Sequence, residues 1–174
     1  MSEGTLNVLF LCTHNSARSV LAESTLNALG GGRFRGFSAG SHPNGRVNSH
    51  ALALLSELGH DVAHLRSKSW DEFATPDAPT LDVVITVCGD AADEVCPIWP
   101  GAPVKAHWGL PDPSRIAGDD AAKRAAFAAT QQALAQRLAK LIELPAPSLD
   151  SKRLAEIHAT SAMPSFTVSG KELA

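Results

Sequence analysis

Apolar and polar positions fall into blocks that alternate along the chain. "VLFLC" (8–12) and "DVVITVC" (82–88) are almost continuous apolar runs rich in β-branched residues, the pattern of strands buried on both faces of a parallel sheet. "FRGFSAG" (34–40) and "APVKAHW" (102–108) predict two further short strands. Helical patterns lie between and after them. "SARSVLAESTLNALGGG" closes on glycines, and a second helix runs from about Val47 to Leu58, with Leu54, Leu55 and Leu58 on its apolar face and Gly59 as its stop. The strongest helix is "GDDAAKRAAFAATQQALAQRLAKLIELP", acidic in its first turn, alanine-rich, and followed by Pro145. Its Phe127, Leu134, Leu138, Leu141 and Ile142 are expected to face the sheet. Strands and helices alternating at these lengths predict a single three-layer α/β domain with a parallel sheet, right-handed crossovers and helices on both faces. Ligands of such sheets bind beyond the carboxyl ends of the strands.

After "LPAPS" (144–148) the composition shifts. Residues 1–145 are expected to form the domain, and 146–174 an appendage with a weak helix, "SKRLAEIHA", and a polar end. A length of 174 residues suits one core. The net charge of −3, with both signs mixed along the chain, gives no basic stripe for a nucleic acid. No apolar run reaches the roughly 20 residues that span a bilayer, and "MSEGTLN" lacks the features of a signal peptide. The expectation is a cytoplasmic protein with neither nucleic-acid nor membrane partners. Three cysteines, an odd number, argue against a closed disulfide framework and turn attention to where each thiol stands.

The first, Cys12, ends a strand and opens "CTHNSARS" (12–19), which leads into a helix. Strand, Cys-x5-Arg-Ser and helix together can form an oxyanion cradle of backbone amides. The small or polar residues Thr13, His14, Asn15, Ser16, Ala17 and Ser19 let the chain curl inward, and Arg18 can return two planar donors to the anion. The helix N-terminus and Arg18 are expected to lower the Cys12 pKa, so that it lies as a thiolate beneath a bound oxyanion. Ser19 is placed to donate to the Cys12 sulfur, and Asn15 to hold a left-handed turn. His14 and Ser16 have no evident role.

"VLFLCTHNSARSVLAE" resembles the phosphate loop of the low-molecular-weight protein-tyrosine-phosphatase fold, and "CGDAADEVCPIWPGAPVKAHWGLPDP" resembles the arsenate reductases built on that fold. The resemblance runs from about Asn7 to Leu144. It implies a four-stranded parallel sheet of flavodoxin-like type. In "GLPDPS" (109–114), Asp112 matches the family's general acid, which protonates the oxygen expelled when a thiolate attacks phosphorus or arsenic. Cys88 and Cys96, separated by "GDAADEV", read as thiols that meet when the segment between them moves, since eight residues in helical turns hold them too far apart for a disulfide. A zinc site completed by Cys12 or His107 is the alternative, though zinc pairs usually lie closer in sequence.

The resemblance implies a relay. Cys12 attacks arsenate, Cys88 attacks the Cys12 sulfur and arsenite departs, then Cys96 attacks Cys88 and moves the disulfide to where an external dithiol reaches it. No bound cofactor or metal is needed; thioredoxin, or glutathione with glutaredoxin, would supply electrons. The sequence departs from some family members at Ala17, where they carry a second loop cysteine. It also has no tyrosine, whereas tyrosine phosphatases of this fold usually clamp the substrate ring with tyrosines after Asp-Pro. Two rivals stay open: a phosphatase using Cys12, Arg18 and Asp112 through a phosphoenzyme, and a non-enzymatic module holding trivalent arsenic on three thiols. Trp99, Trp108 and His107 are expected to pack, and Arg66, Lys68 and Asp71 to form a solvated face.

Overall fold

A computed structural model describes residues 4–88, 99, 101–164 and 166. The sheet contains β1 (Leu6–Leu11), β2 (Phe34–Ala39), β3 (Val83–Thr86) and β4 (Val104–His107), in the order β2-β1-β3-β4 and parallel throughout. Four α-helices are described: α1 (Arg18–Leu29), α2 (Ser49–Glu57), α3 (Asp120–Ile142) and α4 (Ser151–Ala159).

Period-two alternation divides the central strands between two cores. Val8, Phe10, Val83 and Ile85 face the larger core, where they meet Val20, Leu21 and Leu26 of α1, Leu55 of α2, and Phe127, Leu134, Leu138 and Leu141 of α3. Leu9, Leu11 and Val84 point the other way, into a thinner layer with Phe73, Leu81 and Trp99. Each fully buried Leu or Phe contributes roughly 1.5–3 kcal/mol relative to exposure, so strand and helix faces lock together. The caps are side chains: Asn48 accepts from His50 N and Ala51 N at the start of α2, and Asp119 from Ala122 N at the start of α3. Such caps contribute about 1 kcal/mol each. Leu58 differs from expectation. It is the C-cap of α2, beyond the last turn, and stands 48% exposed.

Within the segment set apart as an appendage, residues 146–164 and 166 are described. Helix α4 covers precisely the weak helical stretch, yet its Leu154 and Ile157 are buried in the larger core and Ser151 Oγ donates to Lys105 O of β4 at 2.7 Å. Two apolar residues three apart in a polar nonapeptide carry little sequence signal, but they suffice to dock one helical face.

Topology then fixes where a ligand can sit. From β1 the chain leaves toward β2, and from β3 toward β4, so the crossovers diverge between the two central strands. That divergence opens the crevice at the carboxyl edge of the sheet. Cys12 follows β1 and Cys88 lies just past β3, one on each side of it.

Candidate active site

Residues 12–17 curl between β1 and α1, with three of their carbonyls tied down from the neighbouring loops. Thr13 O accepts from His42 N at 2.8 Å, His14 O from Asn44 N at 3.3 Å and Ser67 Oγ at 3.0 Å, and Ser16 O from Asn48 N at 2.8 Å. Carbonyls fixed outward leave amides facing inward. Helix α1 starts with Ala17 at its N-cap and no side-chain capping bond, so its first N–H groups remain available to an anion. Asn15 makes the turn, with φ of 49°. Its buried amide donates to Ser19 Oγ at 2.8 Å and accepts from Lys68 N at 2.9 Å, which holds a left-handed residue that costs other side chains about 1–2 kcal/mol. Gly40 passes directly behind the loop. A Cβ there would lie 2.5 Å from Thr13 O and 2.6 Å from Cys12 O.

Arg18, the first residue of α1, is buried and folds back over the crevice. Its Nη1 donates to Leu110 O at 2.7 Å, and its Nη2 lies 3.4 Å from Asp112 Oδ2. The other carboxylate oxygen of Asp112 accepts from Ser114 N at 2.9 Å and Ser114 Oγ at 2.7 Å, and Arg115 Nε stands 3.5 Å from Oδ2. Cys88 completes the group. Its sulfur accepts from Thr13 N at 3.2 Å, and the two buried thiols of Cys12 and Cys88 share a hydrogen bond.

The sequence places Cys12, Arg18, Cys88 and Asp112 about one site, and the fold brings these four together. Cys96 lies outside the described residues. The protonation state of Cys12 differs from expectation. Its hydrogen bond with Cys88 and its burial raise the thiol well above its ordinary range, and the Arg18 guanidinium opposes them without prevailing. Cys12 therefore rests as a thiol. The sequence argument placed Cys88 and Asp112 at the same site but weighed only the helix terminus and the arginine, not what a second thiol, a nearby carboxylate and burial do to the Cys12 proton. Ser19 Oγ accepts from Asn15, so its first engagement is with the loop's turn residue.

Trp99 and Trp108 are buried, as expected of packing residues, and His107 Nδ1 shares a hydrogen bond with Thr86 Oγ1 at 2.6 Å. Lys68 was expected in a solvated face. Instead its amide holds Asn15, its carbonyl accepts from Gly40 N at 2.9 Å, and burial lowers its ammonium pKa. Near it lies buried Glu23 of α1, which accepts from Ser38 Oγ at 2.5 Å and whose pKa is raised by burial. Both were missed because a lone Lys in a polar loop and a lone Glu in a helix look like surface residues; only the bulk of apolar neighbours at a distance in sequence buries them. Among the described residues no group of three or more His, Cys, Asp or Glu side chains is arranged to hold a metal.

Residues 7–155 match the family model described as low molecular weight phosphotyrosine protein phosphatase. The chain belongs to this family. Within it, the chain is 35% identical over 136 residues to the arsenate reductase of Bacillus subtilis, covering 78% of this chain and 94% of that protein. Among solved structures, an arsenate reductase in the phosphate binding state is similar with a TM-score of 0.62 at 29% identity, covering 79% of this chain and 97% of the other. A thioredoxin-dependent arsenate reductase of Corynebacterium glutamicum aligns with a TM-score of 0.57 at 25% identity, over 81% of this chain and 62% of that one. The phosphatase-family loop thus occurs here in a chain whose relatives include enzymes named as reductases.

Proposed function

We propose that this member of the low molecular weight phosphatase family reduces arsenate to arsenite through a cysteine relay recharged by an external thiol system. The observation that carries the reading is the Cys88 thiol packed against Cys12 and the Thr13 amide. Hydrolysis through a phosphoenzyme uses one thiol; reduction by thiols needs a second within reach of the first. The curated relative from Bacillus subtilis, named arsenate reductase and matched over nearly its whole length, supports the same reading.

The chemistry follows from the groups present. Loop amides, the α1 N-terminus and Arg18 hold a tetrahedral dianion, and the bound anion is a base to which the Cys12 thiol can pass its proton. The thiolate then forms an S–As bond as one As–O bond breaks, and Asp112 protonates the departing oxygen, which leaves as water. Cys88 attacks the Cys12 sulfur. An S–S bond forms, the S–As bond breaks with its electron pair going to arsenic, and As(V) becomes As(III) while two thiols become a disulfide. In the last step Cys96 attacks Cys88, Cys12 is released, and the Cys88–Cys96 disulfide passes to the external dithiol. Thioredoxin is the favoured donor, on the likeness to the thioredoxin-dependent reductase and on the three cysteines of this chain, where a glutathione route could replace one protein thiol.

The test is arsenite production with thioredoxin, its reductase and NADPH, run beside hydrolysis of a phosphoester. Wild type is expected to turn over arsenate, Cys12→Ser to be inert, and Cys88→Ser to stall before arsenite release. Phosphoester turnover without arsenate reduction, or full cycling by Cys88→Ser, would reject the proposal.

A further inference from the structure

The loop that carries Asp112 is anchored on its far side by residues that lie well beyond it in sequence. Trp108, directly after β4, is fully buried; its backbone N–H donates to Thr86 O at 2.7 Å and its indole Nε1 to Leu154 O of α4 at 2.8 Å. Two residues on, Leu110 N donates to Val87 O at 3.0 Å, and Leu110 O receives Arg18. Two more residues reach Asp112. A short run of backbone therefore connects an indole seated on α4 to the carboxylate over Arg18; its Gly109 and Pro111 keep it out of strand and helix, and a 3-10 turn capped by Asp112, Pro113–Arg115, follows.

Helix α4 is in turn clamped. Arg137 of α3, fully buried, donates Nε to His158 Nδ1 at 2.9 Å, Nη1 to Ala133 O at 2.9 Å and Ala162 O at 3.0 Å, and Nη2 to Met163 Sδ at 3.5 Å. A buried guanidinium is costly unless its donors are met. Three of its four acceptors lie in residues 158–163, so the burial of Arg137 and the docking of that segment are a single event. Ser151 fastens the other end of α4 to the edge strand through Lys105 O.

We propose that residues 151–163 buttress the acid loop, with Trp108 and Arg137 as positioning residues that set where Asp112 stands relative to Arg18. The proposal rests on the reading of Asp112 as proton donor. It assigns the C-terminal segment a share in the rate of the first chemical step while leaving oxyanion binding to the loop at 12–19, which is braced from residues 40–48 and 67–68 instead.

Two full-length variants test it. Trp108→Phe keeps the packed ring and deletes one N–H; Arg137→Gln removes the charged fork, with Arg137→Lys as the conservative control. The readouts are single-turnover arsenite formation at saturating arsenate, the KM for arsenate, the Kd for inorganic phosphate, and amide exchange at 109–115. A small displacement of a proton donor is enough for about a tenfold loss of rate in Arg137→Gln and about threefold in Trp108→Phe. KM and Kd are expected to stay within about twofold, exchange to quicken at 109–115, and Arg137→Lys to recover part of the rate. Unchanged single-turnover rates in both variants would overturn the proposal, and so would faster exchange spread evenly over the sheet. If Arg137→Gln does not fold, Trp108→Phe decides on the same readouts. If wild type forms no arsenite, the proposed activity fails by itself, and exchange at 109–115 still decides whether the buttress exists.

Discussion

Two loops meet over Arg18, and they are built in opposite ways. The oxyanion loop, 12–19, is fixed through its backbone: neighbouring amides and one hydroxyl take its carbonyls, Asn15 closes it from inside, and Gly40 lies too close behind to carry a side chain. The acid loop, 109–115, is tied to Val87 O by the Leu110 amide and is otherwise held mainly through side chains, by the Arg18 guanidinium on Leu110 O, by the Trp108 indole on α4, and by Ser114 on the Asp112 carboxylate. The contrast matches the parts they are proposed to play. An anion spread over several oxygens is best met by many weak donors fixed in advance, whereas proton transfer asks only that one carboxyl group stand in the right place. Backbone fixation makes the first loop brittle. Side-chain fixation makes the second tunable.

Gly40→Ala attacks the first loop at its most brittle point and carries the largest expected effect. The new methyl group would sit 2.5 Å and 2.6 Å from two loop carbonyls, closer than van der Waals contact allows, and one of them, Thr13 O, is held in place by His42 N. Overpacking of this kind costs about 1–3 kcal/mol, and the displaced loop should lose phosphate affinity by a hundredfold or more, on the order of 3 kcal/mol, read by calorimetry beside a thermal melt. Asp112→Asn is the matching change in the second loop. It retains an oxygen for Ser114 but no acidic proton, so single-turnover arsenite formation should fall about 10²-fold, while phosphate binds as well or better because a carboxylate 3.4 Å from Arg18 has gone. An equal loss of binding and rate in Asp112→Asn would erase the division of labour between the loops.

Much of this was legible in the chain. The two apolar runs ending in cysteine marked the central strands, since only a strand buried on both faces can be apolar at consecutive positions, as Val8 to Leu11 are. The oxyanion loop was legible too, because its work is done by backbone and its sequence has to permit a local conformation; Asn15 at positive φ is that permission. The buttress was not legible. Leu154 and Ile157 are isolated apolar residues in a polar stretch, and three of the four acceptors of Arg137 are backbone and side-chain atoms 21 to 26 residues away. Contacts of that kind exist only once helix α3 has set the distance. The resting state of Cys12 was misjudged for a different reason: Cys88 was expected at the site as the next thiol of the relay, but its effect on the Cys12 proton, and that of burial, was not weighed against Arg18.

Asn15→Ala should have an intermediate effect. It keeps the small loop but places alanine at φ of 49° and deletes the bonds to Ser19 and Lys68, so about 1–3 kcal/mol of stability is at stake; Asn15→Gly, free of the backbone penalty, should recover about half. A glycine variant no better than alanine would move the weight from the turn to the side-chain bonds.

The smallest expected effect is on the reactivity of Cys12 when its neighbour Cys88 is replaced. Its hydrogen bond is the leading cause of the raised Cys12 pKa, ahead of burial, with Arg18 acting in the opposite sense. Removing it in Cys88→Ala should leave burial and the Asp112 carboxylate to oppose Arg18 and bring the thiol down, so alkylation of Cys12 by iodoacetamide near neutral pH should quicken. The linkage has a definite sign. With its pKa raised on folding, Cys12 keeps its proton in the native state above the pH where the unfolded thiol, near 8.5, has begun to release it. Stability should then decline as the pH climbs past that point, and less steeply in Cys88→Ala. Denaturant midpoints between pH 7 and 10 measure the difference. A Cys88→Ala protein whose Cys12 reacts no faster, and whose alkaline decline is as steep as that of wild type, would mean that burial alone keeps the thiol protonated and that Cys88 stands beside it only as the next member of the relay.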